Sequence, residues 1–148
     1  MTVDSQRLYR ERFPERDREQ KTRIWKVLCQ DFFQRYIRPG SSVVDIGAGY
    51  CDFINHIQAA EKIALDVNPD TRLHALDTVR VCGDSVFDMH SIPDGSVDAC
   101  FLSNFLEHML SKDDVLKVLC ECERILSANG RILILQPNIK YVGGAYWD

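Results

Sequence analysis

Residues 43–53 read VVDIGAGYCDF, an apolar run that breaks into two glycines and continues into residues suited to a helix. A short β-branched stretch ended by a glycine turn and followed by an amphipathic segment predicts a strand, a tight loop and a helix. The loop fits neither of the common phosphate cradles. A dinucleotide loop, G-x-G-x-x-G, needs a small sixth residue so that the helix packs closely and the pyrophosphate meets backbone. Here the six positions are GAGYCD, ending on Asp52. A P-loop needs Gly-Lys-Ser/Thr, and no such triplet follows.

Working outward, the strand–loop–helix pattern recurs. KIALDV predicts a second strand, after which Asn68 can cap a helical turn and Pro69 can take its first position. TVRVC predicts a third strand ending at GDS, and SVDACFLSN a fourth, entered through the turn signal IPDG. Ser111 with Asp114 resembles a capping box, and Val115, Leu119, Cys122 and Leu126 form an apolar stripe running to ANG. RILILQ predicts a fifth strand, apolar enough on both faces for the middle of a sheet. Upstream, Ile24, Leu28 and Phe32 recur at a spacing of four, with Trp25 and Tyr36 beside them, predicting a helix from about Arg18 to Ile37 that RPGSS stops. The expected organisation is an N-terminal helical segment or lid over 1–39 and one core over 40–148.

Strands alternating with helices predict an α/β fold with a doubly wound, mostly parallel sheet, whose ligand lies at the carboxyl ends of the strands. DIGAG, LDVNP, CGDS and FLSNFLEH then share one rim. Asp45, Asp52, Asp66 and Asp84 bring negative charge there, which disfavours a pyrophosphate and suits a ligand with hydroxyl or cationic groups.

Composition agrees with a globular domain. A chain of 148 residues, 45% apolar and 27% charged, is long enough for its own core. The net charge of −4, with acids interleaved among the early basic residues, argues against nucleic acid as the main partner. No apolar run approaches a membrane span, and MTVDSQRLYRERF lacks the apolar stretch of a secretory signal, so a cytoplasmic location is expected. The six cysteines include no C-x-x-C pair, and Cys120 and Cys122 should face different sides of a helix, so no metal site is expected.

With VVDIGAGYC, Asp66, CGDS, LSNFLEH and LSANGRILILQPN in this order, the chain resembles the class I S-adenosylmethionine-dependent methyltransferases over about residues 40–140. It is closest to their small-molecule branch, types 11 and 12. The resemblance implies S-adenosylmethionine as cofactor, leaving as S-adenosylhomocysteine, on a Rossmann-like sheet. It implies that Asp45 anchors the methionine end while Gly47, Ala48 and Gly49 let the backbone pass beneath. Asp66 would hold the ribose hydroxyls with Val67 beside it, Asp84 and Ser85 would meet the adenine, and Ser103 and Asn104 would line the methyl region. Asp84 and Asn104 could equally be helix caps. Cys51 replaces the family's third glycine. The family continues past strand five with an antiparallel hairpin, so a chain ending at Asp148 is expected to be a fragment, or to have that edge covered by another chain or copy.

Methyl transfer from a sulfonium mainly requires holding acceptor and methyl in line, an effect worth roughly 7–11 kcal/mol. A base is needed only where the acceptor must lose a proton, and His108, beside Glu107, is the candidate. His56, His74 and His90 lack such a place. Tyr9 and Arg12 of LYRERF could close over the cofactor. Neither an Asn/Asp-Pro-Pro-aromatic segment nor a Pro-Cys pair marks a nucleic-acid methyltransferase, which leaves a small-molecule acceptor as the expected partner. The alternative is a non-catalytic cofactor-binding or interaction module of the same fold; an NAD-dependent oxidoreductase is disfavoured by Asp52 and its neighbouring acids.

Overall fold

The computed structural model describes residues 15–143. Tyr9, Arg12 and residues 144–148 lie outside the described residues. The strands are β1 (Ser42–Ile46), β2 (Glu61–Leu65), β3 (Arg80–Cys82), β4 (Val97–Ser103) and β5 (Leu126–Leu135), with helices α1 (Glu15–Val27), α2 (Asp52–His56), α3 (Lys112–Ile125) and α4 (Ile139–Val142). The strands form one parallel sheet in the order β3-β2-β1-β4-β5. That order reverses direction between β1 and β4, and an open α/β sheet opens a ligand crevice at such a switch point.

Alternate residues of the strands feed two cores. One face carries Val44, Ile46, Leu65, Cys100 and Leu102, covered by Val118, Cys122 and Ile125 of α3 and by Met89 and Ile92. The other carries Val43, Ala64, Ala99 and Phe101, covered by α2 and by the helical segment that starts with α1. Phe101 stacks on Phe53 with centroids 3.6 Å apart, and Trp25 and Phe33 pack edge-on against Phe101. These rings attach the N-terminal helical segment to the centre of the sheet.

Several expectations need correction. The N-terminal helix does not run evenly to Ile37: α1 passes at Leu28 into a π-helical turn (Leu28–Phe32) and then a 3₁₀ turn (Phe33–Arg35). Its inward stripe is Cys29, Phe33 and Ile37, with Trp25 half-buried ahead of them, one residue on from the predicted one; of the predicted residues Leu28 is half-buried against the same core, while Ile24 is 51% and Phe32 46% exposed. Both stripes have a spacing of four, so periodicity alone cannot choose between them; the aromatic contacts of Trp25 and Phe33 do. The stripe on α3 likewise centres on Val118, Cys122 and Ile125, with Val115 and Leu119 half-buried beside it. This helix ends at Ile125, because Leu126 turns extended to pair with Val97. Residues 127–130 then bulge out before Arg131 pairs with Ala99.

RILILQ is not central. Among the described residues β5 is the last strand of the sheet, with Ile134 48% exposed. An apolar pattern reports that both faces want cover, and does not report whether both edges are paired.

The turn predictions hold. Asn68 Oδ1 accepts from the Asp70 amide and Pro69 opens a 3₁₀ turn (Pro69–Leu73). Ser111 caps α3 by accepting from the Asp114 amide. Of the paired cysteines, Cys120 is exposed and Cys122 buried.

One polar network fixes the long link between β3 and β4. Arg124 of α3 donates to Glu121 through Nε at 3.0 Å and Nη2 at 2.9 Å, to the Ile92 and Met89 carbonyls at 3.1 and 3.0 Å, and to Asp94. Glu121 in turn accepts from the Met89 amide at 2.8 Å. Arg124→Ala would strand the Ile92 and Met89 carbonyls and the Glu121 carboxylate, so we expect a loss of about 2–4 kcal/mol of stability in urea melts. Arg124→Lys should recover little, since an ammonium cannot reproduce the fork.

Candidate functional site

Glycine-loop geometry follows from its backbone. Gly47, Gly49 and Cys51 all adopt left-handed φ, of 71°, 48° and 60°. Alternation of left-handed residues winds the loop tightly between β1 and α2. The Gly47 and Ala48 amides donate to the Leu65 carbonyl at 2.8 and 3.3 Å, tying the loop to the end of β2. Glycine adopts such φ values readily, whereas an L side chain costs about 1–2 kcal/mol there.

Cys51 therefore keeps a conformation that suits glycine, and it uses its side chain for packing. The residue is fully buried, with Sγ 3.7 Å from the Thr71 carbonyl, and burial first, then Asp45, Asp66 and Asp52, push the thiol up to about 12. It is a neutral core group. Cys51→Gly relieves the backbone by about 1–2 kcal/mol but loses a comparable burial term, so we expect stability within about 1 kcal/mol of the parent. Cys51→Val, β-branched at a positive φ, should unfold at clearly lower urea.

The carboxylates divide by position. Asp45 lies beneath the loop, flanked by Ala64 and Phe101 on the neighbouring strands, and is 4% exposed. Burial raises its carboxyl to about 8 against the pull of the Ile54 amide, and Asp66 and Asp52 raise it further. Asp52, in the first turn of α2, is paired with Lys21 of α1 at 3.1 Å, so its charge is shared with a cation. Tyr50 packs under the Arg18 guanidinium at 4.6 Å and against His74, whose pKa is lowered by burial and by Arg18.

Asp66 caps the end of β2. Its Oδ2 accepts from the Gly49 amide and its Oδ1 from the Asn68 amide, both at 2.8 Å. One carboxylate thus joins the glycine loop to the turn after β2 and keeps further lone pairs for a ligand. Val67 beside it is exposed. Asp84 closes a different loop: Oδ2 accepts from the Ser91 amide and hydroxyl at 2.8 and 2.6 Å, and His90 lies 3.6 Å from Oδ1. Burial pushes the Asp84 carboxyl up, but the Ser91 bonds and His90 outweigh it and hold the pKa below the ordinary value. Ser85 accepts from the Phe87 amide.

At the end of β4, Ser103 Oγ is buried and has no hydrogen-bond partner among the described residues. A buried hydroxyl without a partner carries a free-energy cost that a polar ligand group can remove. Asn104 follows with φ 47°, its amide donating to the Leu135 carbonyl at 3.0 Å. His108 closes a 3₁₀ turn (Leu106–His108), is exposed, and has no ring hydrogen bond among the described residues. Glu107 accepts from Gln136 Nε2 at 2.8 Å.

The structure thus brings Gly47, Ala48, Gly49, Asp66, Val67, Ser103 and Asn104 to the carboxyl ends of β1, β2 and β4, with Asp84 and Ser85 beyond β3. Asp45 is underneath rather than on the rim. The supporting partners Asn68 and Ser91, and the ring of Phe105 against Gly47, are absent from a reading by motif. Their signal was present in part: Asn68 sits two residues after Asp66, and Phe105 directly follows Ser103 and Asn104.

No helix among the described residues is long and apolar enough to cross a membrane. Three solved structures show the same fold. A SAM-dependent methyltransferase from Archaeoglobus fulgidus aligns with TM-score 0.65 and 23% identity, over 79% of this chain and 53% of its own. A SAM-dependent methyltransferase from Thermotoga maritima aligns with TM-score 0.66 and 18% identity, over 90% of this chain and 62% of its own. A complex of the Haloferax volcanii Trm112 methyltransferase activator with a methyltransferase gives TM-score 0.64 and 20% identity, over 80% of this chain and 55% of the other. The chain spans about half the length of the solved structures it matches. No curated protein matches its sequence. The family model described as "Methyltransferase domain" matches residues 44–134, more than half the chain, and the protein therefore belongs to the methyltransferase domain family.

Proposed function

We propose that this chain binds S-adenosylmethionine at the carboxyl rim of β1, β2 and β4 and takes part in methyl transfer to a small-molecule acceptor. The observation that carries the reading is the link from Asp66 to the Gly49 amide, which preorganises a carboxylate beside a left-handed glycine loop at the switch point of the sheet. The buried, unpartnered Ser103 hydroxyl on the same rim fits a ligand carrying polar groups. Bound there, the cofactor supplies a methyl group already activated by its sulfonium.

The chain's own residues bind and orient. Asp66 would accept from the ribose hydroxyls with Val67 against the adenine, and Asp84 and Ser85 would flank that base. Gly47, Ala48 and Gly49, with no side chain larger than a methyl, would let the methionine portion pass close to the loop backbone, with Asp45 below. Ser103 and Asn104 would face the reacting side, where His108 could hold an acceptor proton. Residues 1–39 would act as a helical flank or lid, and a further segment or a second copy would cover the outer edge of β5, the last strand of the sheet among the described residues. A cytoplasmic location suits this reading, and neither nucleic acid nor a membrane is needed as a partner.

A second reading, a cofactor-binding module without turnover, is favoured by the unsupported His108 ring. Incubating the chain with methyl-labelled S-adenosylmethionine and a panel of small amines and alcohols separates the two. Label in a small product supports transfer; tight binding without label supports the module; absence of binding removes both.

A further inference from the structure

We propose that Phe105 is a specificity residue for the donor: its ring, seated on Gly47, forms an aromatic wall of the donor site and favours a sulfonium cation over the thioether product. This rests on the reading of the glycine loop as the donor site.

A methyl group built on Gly47 would meet Phe105 Cδ2, with Cε2 at 2.8 Å and Cγ at 3.2 Å. The ring therefore lies in van der Waals contact with the first glycine, and the missing side chain at Gly47 is what admits it. The ring reaches the β1 loop from the segment after β4, across the switch point of the sheet.

Its seat is fixed from both sides. Asn104 holds a left-handed φ of 47°, an unusual conformation secured by the hydrogen bond that its backbone amide donates to the Leu135 carbonyl. The Phe105 carbonyl accepts from the His108 amide at 3.1 Å, and Leu106 and Met109 pack into the core beneath. Phe105 itself is half-buried and packs against the same core cluster as Leu106 and Met109.

An aromatic face attracts a cation held within about 6 Å of its centre, through its quadrupole. The nearby carboxylates are partly committed: Asp52 to Lys21, and Asp66 to two backbone amides. Once the methyl has left, the sulfur is neutral and loses the attraction to the ring while keeping its other contacts. A ring in this position binds the donor more tightly than the product and so favours exchange of one for the other.

Calorimetric titration of the parent chain, Phe105→Leu and Phe105→Tyr with S-adenosylmethionine and S-adenosylhomocysteine tests this. Phe105→Leu should weaken the sulfonium ligand by about threefold to thirtyfold while changing the thioether less than about twofold. Phe105→Tyr should keep the parent's ratio. Parallel losses for both ligands would show a packing role, and parallel gains would show a ring that obstructs the loop; either overturns the proposal. Should Phe105→Leu fail to fold, trifluorophenylalanine at position 105 keeps the ring's shape and drains its quadrupole. The donor-to-product ratio should then fall, and an unchanged ratio overturns the proposal. A parent chain that binds neither ligand removes the donor site and this proposal together, whereas binding with parallel effects removes the proposal alone.

Discussion

Asp66→Ala is expected to weaken S-adenosylmethionine binding by on the order of a hundredfold to ten-thousandfold. The reasoning starts from charge-assisted hydrogen bonds, each contributing about 1.5–3 kcal/mol, of which the proposed contact with a ribose provides two. A second loss compounds the first. Asp66 also holds the Gly49 and Asn68 amides at 2.8 Å, so alanine loosens the loop that carries the backbone contacts. Asp66→Asn should be intermediate, because its amide oxygen can replace one acceptor but its nitrogen faces a backbone donor. Titration calorimetry on the three proteins measures this directly. Near-parental affinity in Asp66→Ala would mean that the ribose lies elsewhere.

Asp45→Asn is expected to act in opposite directions on stability and on binding. Burial raises the Asp45 carboxyl from 3.8 to about 8. Between those values the folded chain holds a proton that the unfolded chain has released, so unfolding free energy falls as pH rises through that window. The protonated form's advantage is fully present below about pH 4 and is lost as pH climbs to about 8. Asparagine mimics the protonated carboxyl and does not titrate. Its stability curve should be flatter, and at about pH 8 the variant should exceed the parent by on the order of a few kcal/mol. A cationic ligand placed above Asp45 favours the ionised form, so parental affinity should climb with pH toward about 8, by up to ~tenfold per unit, and Asp45→Asn should lack that slope. Urea melts and titrations at three pH values check both limbs. A variant that is less stable at every pH would show that the buried carboxyl is ionised and paired.

Local chemistry made much of the fold legible. The strands at Val43, Ile63, Ala99 and Leu133 declare themselves by apolar runs, and Asn68, Pro69 and Ser111 punctuate helical turns as their side chains dictate. Where two answers share one period, the sequence does not choose: the stripes through Ile24 and Trp25 differ by a single residue, and the contact of Trp25 with Phe101 decides. The edge position of β5 is similarly hidden, because side chains report faces and hydrogen bonding decides edges.

The site was legible to the extent that its residues lie at strand ends. What joins them was not. The bond from Gly49 to Asp66 spans a crossover, the loop from Asp84 closes on Ser91, and the depth of Asp45 depends on strands contributed from both sides. Cys51 shows the limit most clearly. As a residue it looks like a departure from a glycine pattern, yet its φ of 60° is a glycine's and its sulfur is core.

We propose that the loop from Gly47 to Cys51, with Asp66 behind it, takes a cationic nucleoside donor and not a dinucleotide. Its most direct test is calorimetric titration of the chain with S-adenosylmethionine, S-adenosylhomocysteine and NAD under one set of conditions. Saturable binding of the first two, strongly weakened in Asp66→Ala, and none of NAD is expected; binding of NAD with neither of the others would contradict the proposed donor site.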